Sequence, residues 1–248
     1  MTILQKMSMI VFSVLFAFAV AFSYLINSQV IERPLKPWHM QPSIDADSLT
    51  DEYACKYELL DKKSLLGRFA DTSRVTVAIL IDAWGVPFYK DLLADDFAIF
   101  REQTHKEFLH RRLANRTRHA EFAELRTNDT NAVYLFGGDS LEYGRNLYID
   151  SLGYGTRVFC QKCSDSVMLA AVDSVLYVGK ARTIALTTQN SRAGERAKLH
   201  ATLRLVAEVA KKYPKVQFIV QGTHRPTLGD PKIRRESFAH WVPAVVLN

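Results

Sequence analysis

The sequence predicts an α/β domain, a mostly parallel sheet with helices on both faces, preceded by one transmembrane helix. Three observations predict it. Short apolar runs recur along the chain, and the first of the well-defined ones, Val75–Ile81, shows no polar alternation, as expected of a strand buried on both faces. An amphipathic helix separates two of the later runs, and strand-helix-strand alternation of that kind argues for a parallel sheet. Finally, Ser8–Ile26 contains no charge, proline or glycine. At 1.5 Å per residue that run is just long enough to cross a hydrocarbon core of about 30 Å.

Taken in order, residues 1–7 form an N-terminal tail and 8–26 the membrane anchor. A cleaved signal peptide competes with the anchor, because Lys6 supplies a positive charge before the run and Ala19-Val20-Ala21 fits a small-residue cleavage site. The apolar character continues through Phe22, Tyr24, Leu25 and Ile26, which favours the uncleaved anchor. Lys6 lies before the run and Arg33 and Lys36 lie after it, so the basic residues leave orientation open. A short tail before the anchor and a large domain after it suit export of that domain to the periplasmic or extracytoplasmic side. Residues 27–73 read as a stalk, with Pro34, Pro37 and Pro42, followed by a helical lead-in over Asp51–Phe69.

Residues 74–248 are the α/β domain, long enough for one sizeable core. After Val75–Ile81, the strand candidates are Ala132–Phe136, Thr156–Phe159, Thr183–Thr188, Val216–Val220 and Val242–Leu247. Leu199, Leu203, Val206, Ala210 and Tyr213 fall on one helical face, and Pro214 ends that helix.

Composition narrows the partners. The net charge of +6 suits an anionic substrate or an acidic lipid surface, although a solvated basic surface explains it as well. Basic residues cluster in His105–His119 without aromatic interleaving, so no nucleic-acid module is expected. The three cysteines, Cys55, Cys160 and Cys163, lack the second pair that a zinc ribbon needs. Cys160 and Cys163 are the disulfide candidates, as in an exported domain, and a redox role for them ranks low.

In open α/β sheets ligands bind beyond the carboxyl ends of the strands. Those ends carry Asp82, Gly137-Gly138-Asp139, Thr188-Gln189-Asn190 and Gly222-Thr223-His224. Asp82 precedes the turn Ala83-Trp84-Gly85-Val86-Pro87 and is placed either to ligate a cation or to cap a helix. Thr117 stands where a helix begins, either as a plain N-cap or as a hydroxyl at the positive end of the helix dipole. His224 can serve as metal ligand or general base, and a lone His is more often structural.

These elements, in this order, resemble the alkaline phosphatase superfamily of phosphatases, sulfatases, phosphodiesterases and membrane-anchored phospho-group transferases. Val77–Pro87 looks like that family's first strand with its terminal metal-binding Asp, and Thr117 falls where the family places a Ser or Thr nucleophile. Ser151–Phe159 resembles its Gly-Tyr passage into a strand, Phe218–Pro226 its strand ending in Asp-His-Gly, and Trp241–Leu247 the Val-Pro strand that follows. The resemblance implies Thr117 as nucleophile, Asp82 and His224 as ligands of a divalent Zn, Mn or Mg, and a phosphate- or sulfate-ester substrate, lipid-linked or from an envelope glycan.

Departures from the pattern imply a depleted ligand set, with one ion or none. Thr223 stands where the family has Asp, Arg225 where it has Gly, and the His-x-Pro motif is missing after Thr188. Asp139, Thr223, Arg225 and His240 are the additional candidates, and Arg145 or Arg192 could supply charge in place of a metal. A non-catalytic member of the fold, binding an anionic ligand or scaffolding an envelope complex, is the alternative to an enzyme.

Overall fold

The computed structural model describes residues 15–17, 49, 51–61, 64–70, 73–112, 116–137, 142–189, 195–226 and 236–247. The chain divides into two units, Met1–Asp45 and Ala46–Asn248. In the first, 15–17 are helical, and the rest of the predicted anchor and the Pro-containing stalk lie outside the described residues. Among the described residues no helix is long and apolar enough to cross a membrane.

The second unit is built on one eight-stranded sheet in the order β1-β3-β8-β7-β2-β6-β4-β5. The strands are β1 (Glu58–Asp61), β2 (Thr76–Ile81), β3 (His105–Arg111), β4 (Val133–Gly137), β5 (Thr156–Cys160), β6 (Thr183–Thr187), β7 (Gln217–Gly222) and β8 (Trp241–Leu247). All pairings are parallel except those of β8 with β3 and β7. Every strand expected from an apolar run is present.

β2 lies at the centre and is buried throughout, which is why it lacks polar alternation. Its odd-numbered residues Val77, Ile79 and Ile81 join one core with Leu93, Phe97, Leu169, Val172, Leu203 and Val206 from the helices Lys90–Ala98, Asp165–Val178 and Arg196–Lys212. Ala78 and Leu80 point the other way, into a core with Leu65, Leu66, Ala120 and Leu152 from the helices Leu65–Phe69 and Thr117–Glu124 and a 3-10 turn at Ile149–Leu152. Helices therefore cover both faces. A truncation at Ile79, which is fully buried, would cost about 2–5 kcal/mol.

Two segments differ from the sequence reading. Asp51–Phe69 is helix, strand and helix, because β1 pairs with β3 and buries Leu60. The basic cluster begins as β3, where Phe108, Leu109 and His110 are buried and only part of the charge faces solvent. Its charges masked a strand, since burial of Phe108 and Leu109 between neighbours outweighs the low strand propensity of Lys and Glu.

Candidate active site

The site is set up by two turns that lean on each other. β2 ends in Asp82-Ala83-Trp84-Gly85, and Ala83 takes a left-handed backbone (φ 58°), a strained conformation for a residue with a Cβ. The Ala83 N–H donates to Thr223 Oγ1 at 3.2 Å, and the Thr223 N–H continues the ladder to Ile81 O at 3.0 Å. The two turns approach so closely that a Cβ on Gly222 would lie 1.8 Å from Trp84 O, and one on Gly85 2.6 Å from Arg225 Cα. Only glycine fits at either position.

Within this frame Asp82, Thr117, Thr223 and His224 converge, although 35 residues separate Asp82 from Thr117 and 107 separate Thr117 from His224. The Thr117 hydroxyl donates to Asp82 Oδ1 at 2.8 Å and lies 3.1 Å from His224 Nε2. The Thr223 hydroxyl donates to the same Asp82 oxygen at 3.0 Å, and His224 Nε2 is 3.3 Å from it. From β6, Thr188 Oγ1 accepts the Asp82 N–H at 3.1 Å. All four site residues are at least 95% buried. Thr117 is the first residue of its helix, with Arg116 at the cap position, so its hydroxyl faces Asp82 and His224 rather than capping the helix.

The electrostatics follow from these partners. Burial works to raise the Asp82 pKa, but the hydrogen bond and charge of His224, then the two threonine hydroxyls, outweigh it and hold the carboxyl below its usual range. His224 Nδ1 lies 2.6 Å from Arg225 O, a carbonyl that can only accept, so Nδ1 carries a proton. A ring protonated on both nitrogens gives Asp82 Oδ1 the hydrogen bond and charge just described, whereas the neutral ring presents its Nε2 lone pair toward Thr117.

Asp82 Oδ1, Thr117 Oγ1 and His224 Nε2 form a triangle with edges of 2.8, 3.1 and 3.3 Å. Donors shared by one Mg, Mn or Zn ion at about 2.0–2.1 Å stand about 2.8–3.4 Å apart, from octahedral to tetrahedral shells, so this triangle fits one face of such a shell. One carboxylate, one imidazole and hydroxyls suit one cation. Among the described residues no cluster of three or more His, Cys, Asp or Glu comes together to hold a metal.

The other candidates lie apart from this triangle or outside the described residues. Asp139, Asn190 and Arg192 belong to the latter. His240 Nδ1 is 3.1 Å from Arg112 O, at the β3–β8 end. Arg225 contributes its carbonyl to His224. Arg145, suggested as a substitute charge, is buried and engaged with Glu121 through Nε (3.1 Å) and Nη2 (2.6 Å). Cys160 and Cys163 form a disulfide, and Cys55 is free and exposed.

Sequence reasoning missed the support behind Thr117. Glu121 and Glu124 stand four and seven residues after it on the same buried helix face, each paired with a buried arginine. Carboxylates at that spacing on an otherwise core-facing stripe were the available signal.

No protein-family model matches the chain, and no curated protein sequence matches it. Solved structures do. A protein in the alkaline phosphatase superfamily from Vibrio parahaemolyticus aligns with a TM-score of 0.51 at 12% identity, over 70% of this chain and 59% of that one. The fold is that of the alkaline phosphatase superfamily. The chain spans less than two thirds of the length of that Vibrio protein. The lipoteichoic acid synthase LtaP from Listeria monocytogenes is also similar, with a TM-score of 0.49 at 8% identity, over 71% of this chain and 65% of that one. The C-terminal periplasmic domain of EcEptC from Escherichia coli gives 0.48 at 8% identity, over 71% and 72%. In this alkaline phosphatase fold the Asp82–Thr117–His224 triangle sits beyond the carboxyl ends of β2 and β7, where an α/β sheet places ligands.

Proposed function

We propose that the chain transfers or hydrolyses phosphate or sulfate esters, with Thr117 as the nucleophile. The observation that carries the proposal is the convergence of the Thr117 hydroxyl on Asp82 Oδ1 (2.8 Å) and His224 Nε2 (3.1 Å) at the start of a helix. For the attack the Thr117 hydroxyl turns its proton from Asp82 Oδ1 to His224 Nε2, 3.1 Å away, and the oxygen bonds to phosphorus as that proton passes to the imidazole, whose other nitrogen stays fixed on Arg225 O. The bond from phosphorus to the leaving alkoxide breaks, and that oxygen takes up a proton. Water or an acceptor alcohol then attacks the phosphothreonine, giving its proton up and returning the oxygen and a proton to Thr117.

Asp82 stays charged at neutral pH, so it orients the hydroxyl and stabilises a protonated His224 instead of taking the proton itself. Backbone N–H groups in the first turn of the helix favour the developing negative charge. Asp82 Oδ1 and His224 Nε2, the latter then in place of its role as base, would hold a divalent Zn, Mn or Mg ion beside Thr117, and the ion would supply Lewis-acid polarisation of the ester and acidify the hydroxyl.

The sequence's resemblance to membrane-anchored phospho-group transferases extends this reading to a phosphate- or sulfate-ester substrate at an envelope surface, lipid-linked or from a glycan. The Cys160–Cys163 disulfide suits an oxidising compartment, and the apolar run Ser8–Ile26 a tether that holds the domain on the exported side of the membrane.

A second reading, a non-catalytic binder of anionic ligands, draws on Thr223. Its hydroxyl gives Asp82 a hydrogen bond where a carboxylate would give a cation a further negative ligand. Two measurements on the full chain separate the readings. With Mn present, 4-nitrophenyl phosphate is turned over by the unaltered protein and not by Thr117→Ala that remains folded at the assay temperature. Equal turnover by Thr117→Ala excludes Thr117 as nucleophile; no turnover by either protein, together with no bound Mn by metal analysis, favours the binder.

A further inference from the structure

The helix Thr117–Glu124 presents one buried face, with Thr117 at its start and Glu121 and Glu124 below. Each glutamate meets a buried guanidinium that also reaches a strand end. Arg112 Nη1 donates to Glu124 Oε1 at 2.7 Å, its Nη2 lies 3.5 Å from Gly222 O, and the amide oxygen of the preceding β7 residue Gln221, oriented as its neighbours require, accepts from Nη2 and from Nε (3.3 Å). Gly222 is the last residue of β7 and immediately precedes Thr223 and His224. The second oxygen of Glu124 accepts the Leu65 N–H at 2.7 Å. On the other side Arg145 holds Glu121 and donates from Nη1 to Gly137 O, at the end of β4, at 3.0 Å.

Arg112 therefore spans the two halves of the candidate site. One end of its fork holds the helix that carries Thr117, and the other faces the carbonyl of the turn that carries His224. Its backbone is fixed as well, since its N–H donates to His240 O at 2.6 Å and its carbonyl is met by His240 Nδ1 at 3.1 Å. A planar fork with donors in fixed directions can serve both acceptors at once, which a single ammonium cannot.

We propose that Arg112, acting through Glu124 and Gly222, is a positioning residue that sets the separation between the Thr117 hydroxyl and His224 Nε2. The role rests on Thr117 being the nucleophile. Arg112 makes no contact with the Asp82–Thr117–His224 triangle, so losing its fork alters the geometry of the chemical step and leaves ester binding alone. Displacing a reacting atom by about 1 Å costs about 100-fold in rate.

The test is steady-state kinetics of full-length Arg112→Lys on 4-nitrophenyl phosphate with Mn, beside the unaltered protein and with melting temperatures measured for both. Lysine keeps the charge that Glu124 needs and cannot span to Gly222. The expected result is a kcat lower by about 10- to 100-fold with KM within about threefold. A folded Arg112→Lys with unchanged kcat, or one altered in KM alone, overturns the proposal. If Arg112→Lys does not fold, Glu124→Gln replaces it with the same criteria. An unaltered protein without turnover, or a Thr117→Ala variant that retains it, overturns the nucleophile assignment and the positioning role with it; normal turnover unaffected by Arg112→Lys overturns the positioning role alone.

Discussion

The two ends of the Thr117 helix are held by different chemistry. Its first turn meets the site through a single hydroxyl, that of Thr117, which shares one carboxylate oxygen with the Thr223 hydroxyl of the turn after β7. Its second turn is fixed by buried ion pairs, Arg145 with Glu121 and Arg112 with Glu124. A hydroxyl bond is cheap to break and remake during a reaction. A buried ion pair, once one partner is lost, leaves a charge without compensation. Rigid supports and a labile contact thus sit within two turns of each other.

Substitutions can break that contrast. The largest effect is expected from Arg145→Met, which leaves Glu121 buried with Tyr148 but without a counter-charge. It should cost about 3–5 kcal/mol, read from the urea midpoint at constant m. Thr117→Ala, by contrast, should lose about 1.5–3 kcal/mol at most on the same assay, because it removes one hydroxyl bond to the Asp82 carboxylate, which keeps Thr223 and His224 as partners. A Thr117→Ala loss as large as that of Arg145→Met would mean that the first turn is a structural anchor too.

A smaller effect concerns two buried aspartates at either end of the segment that follows β2. Asp82 is held below the usual carboxylate range, as described above. At Asp96 burial outweighs the opposing pull of Arg196, Trp84 and His200, and the pKa is raised. For Asp96 the folded state keeps its proton to higher pH than the unfolded chain. Its contribution to stability should therefore fall as pH rises from about 3.9 through the raised value. Asp82 gives the opposite slope, with stability lost as pH falls below about 3.9 toward its lowered pKa. Urea midpoints across that pH range should show Asp96→Asn removing the first slope and Asp82→Asn the second.

The fold was legible because burial on both faces writes itself into a strand as an unbroken apolar run, as in β2, β6, β7 and β8. β3 was hidden for the converse reason. Its charges and His110 belong partly to buried pairs, so hydropathy marked it as surface. Asp82, Thr117 and His224 could be singled out because each ends a strand or starts a helix, yet local sequence also allowed Thr117 to be a plain cap. The structure puts Arg116 at the cap position, and the pairing of β2 with β7 brings the Asp82 and His224 turns together beside Thr117. Arg112 and Arg145 were unreadable as supports, since their meaning depends on Gly222 and Gly137 at strand ends far along the chain or behind a turn.

The claim that Thr117 attacks the ester is tested most directly by looking for the covalent intermediate. The full chain is incubated with 4-nitrophenyl phosphate and Mn, quenched in acid, digested and sequenced by mass spectrometry. A phosphoryl group on Thr117, absent from Thr117→Ala, is the predicted result. Turnover with the phosphoryl group on another residue, or with none on Thr117 under conditions that trap a stable phosphothreonine, would contradict it.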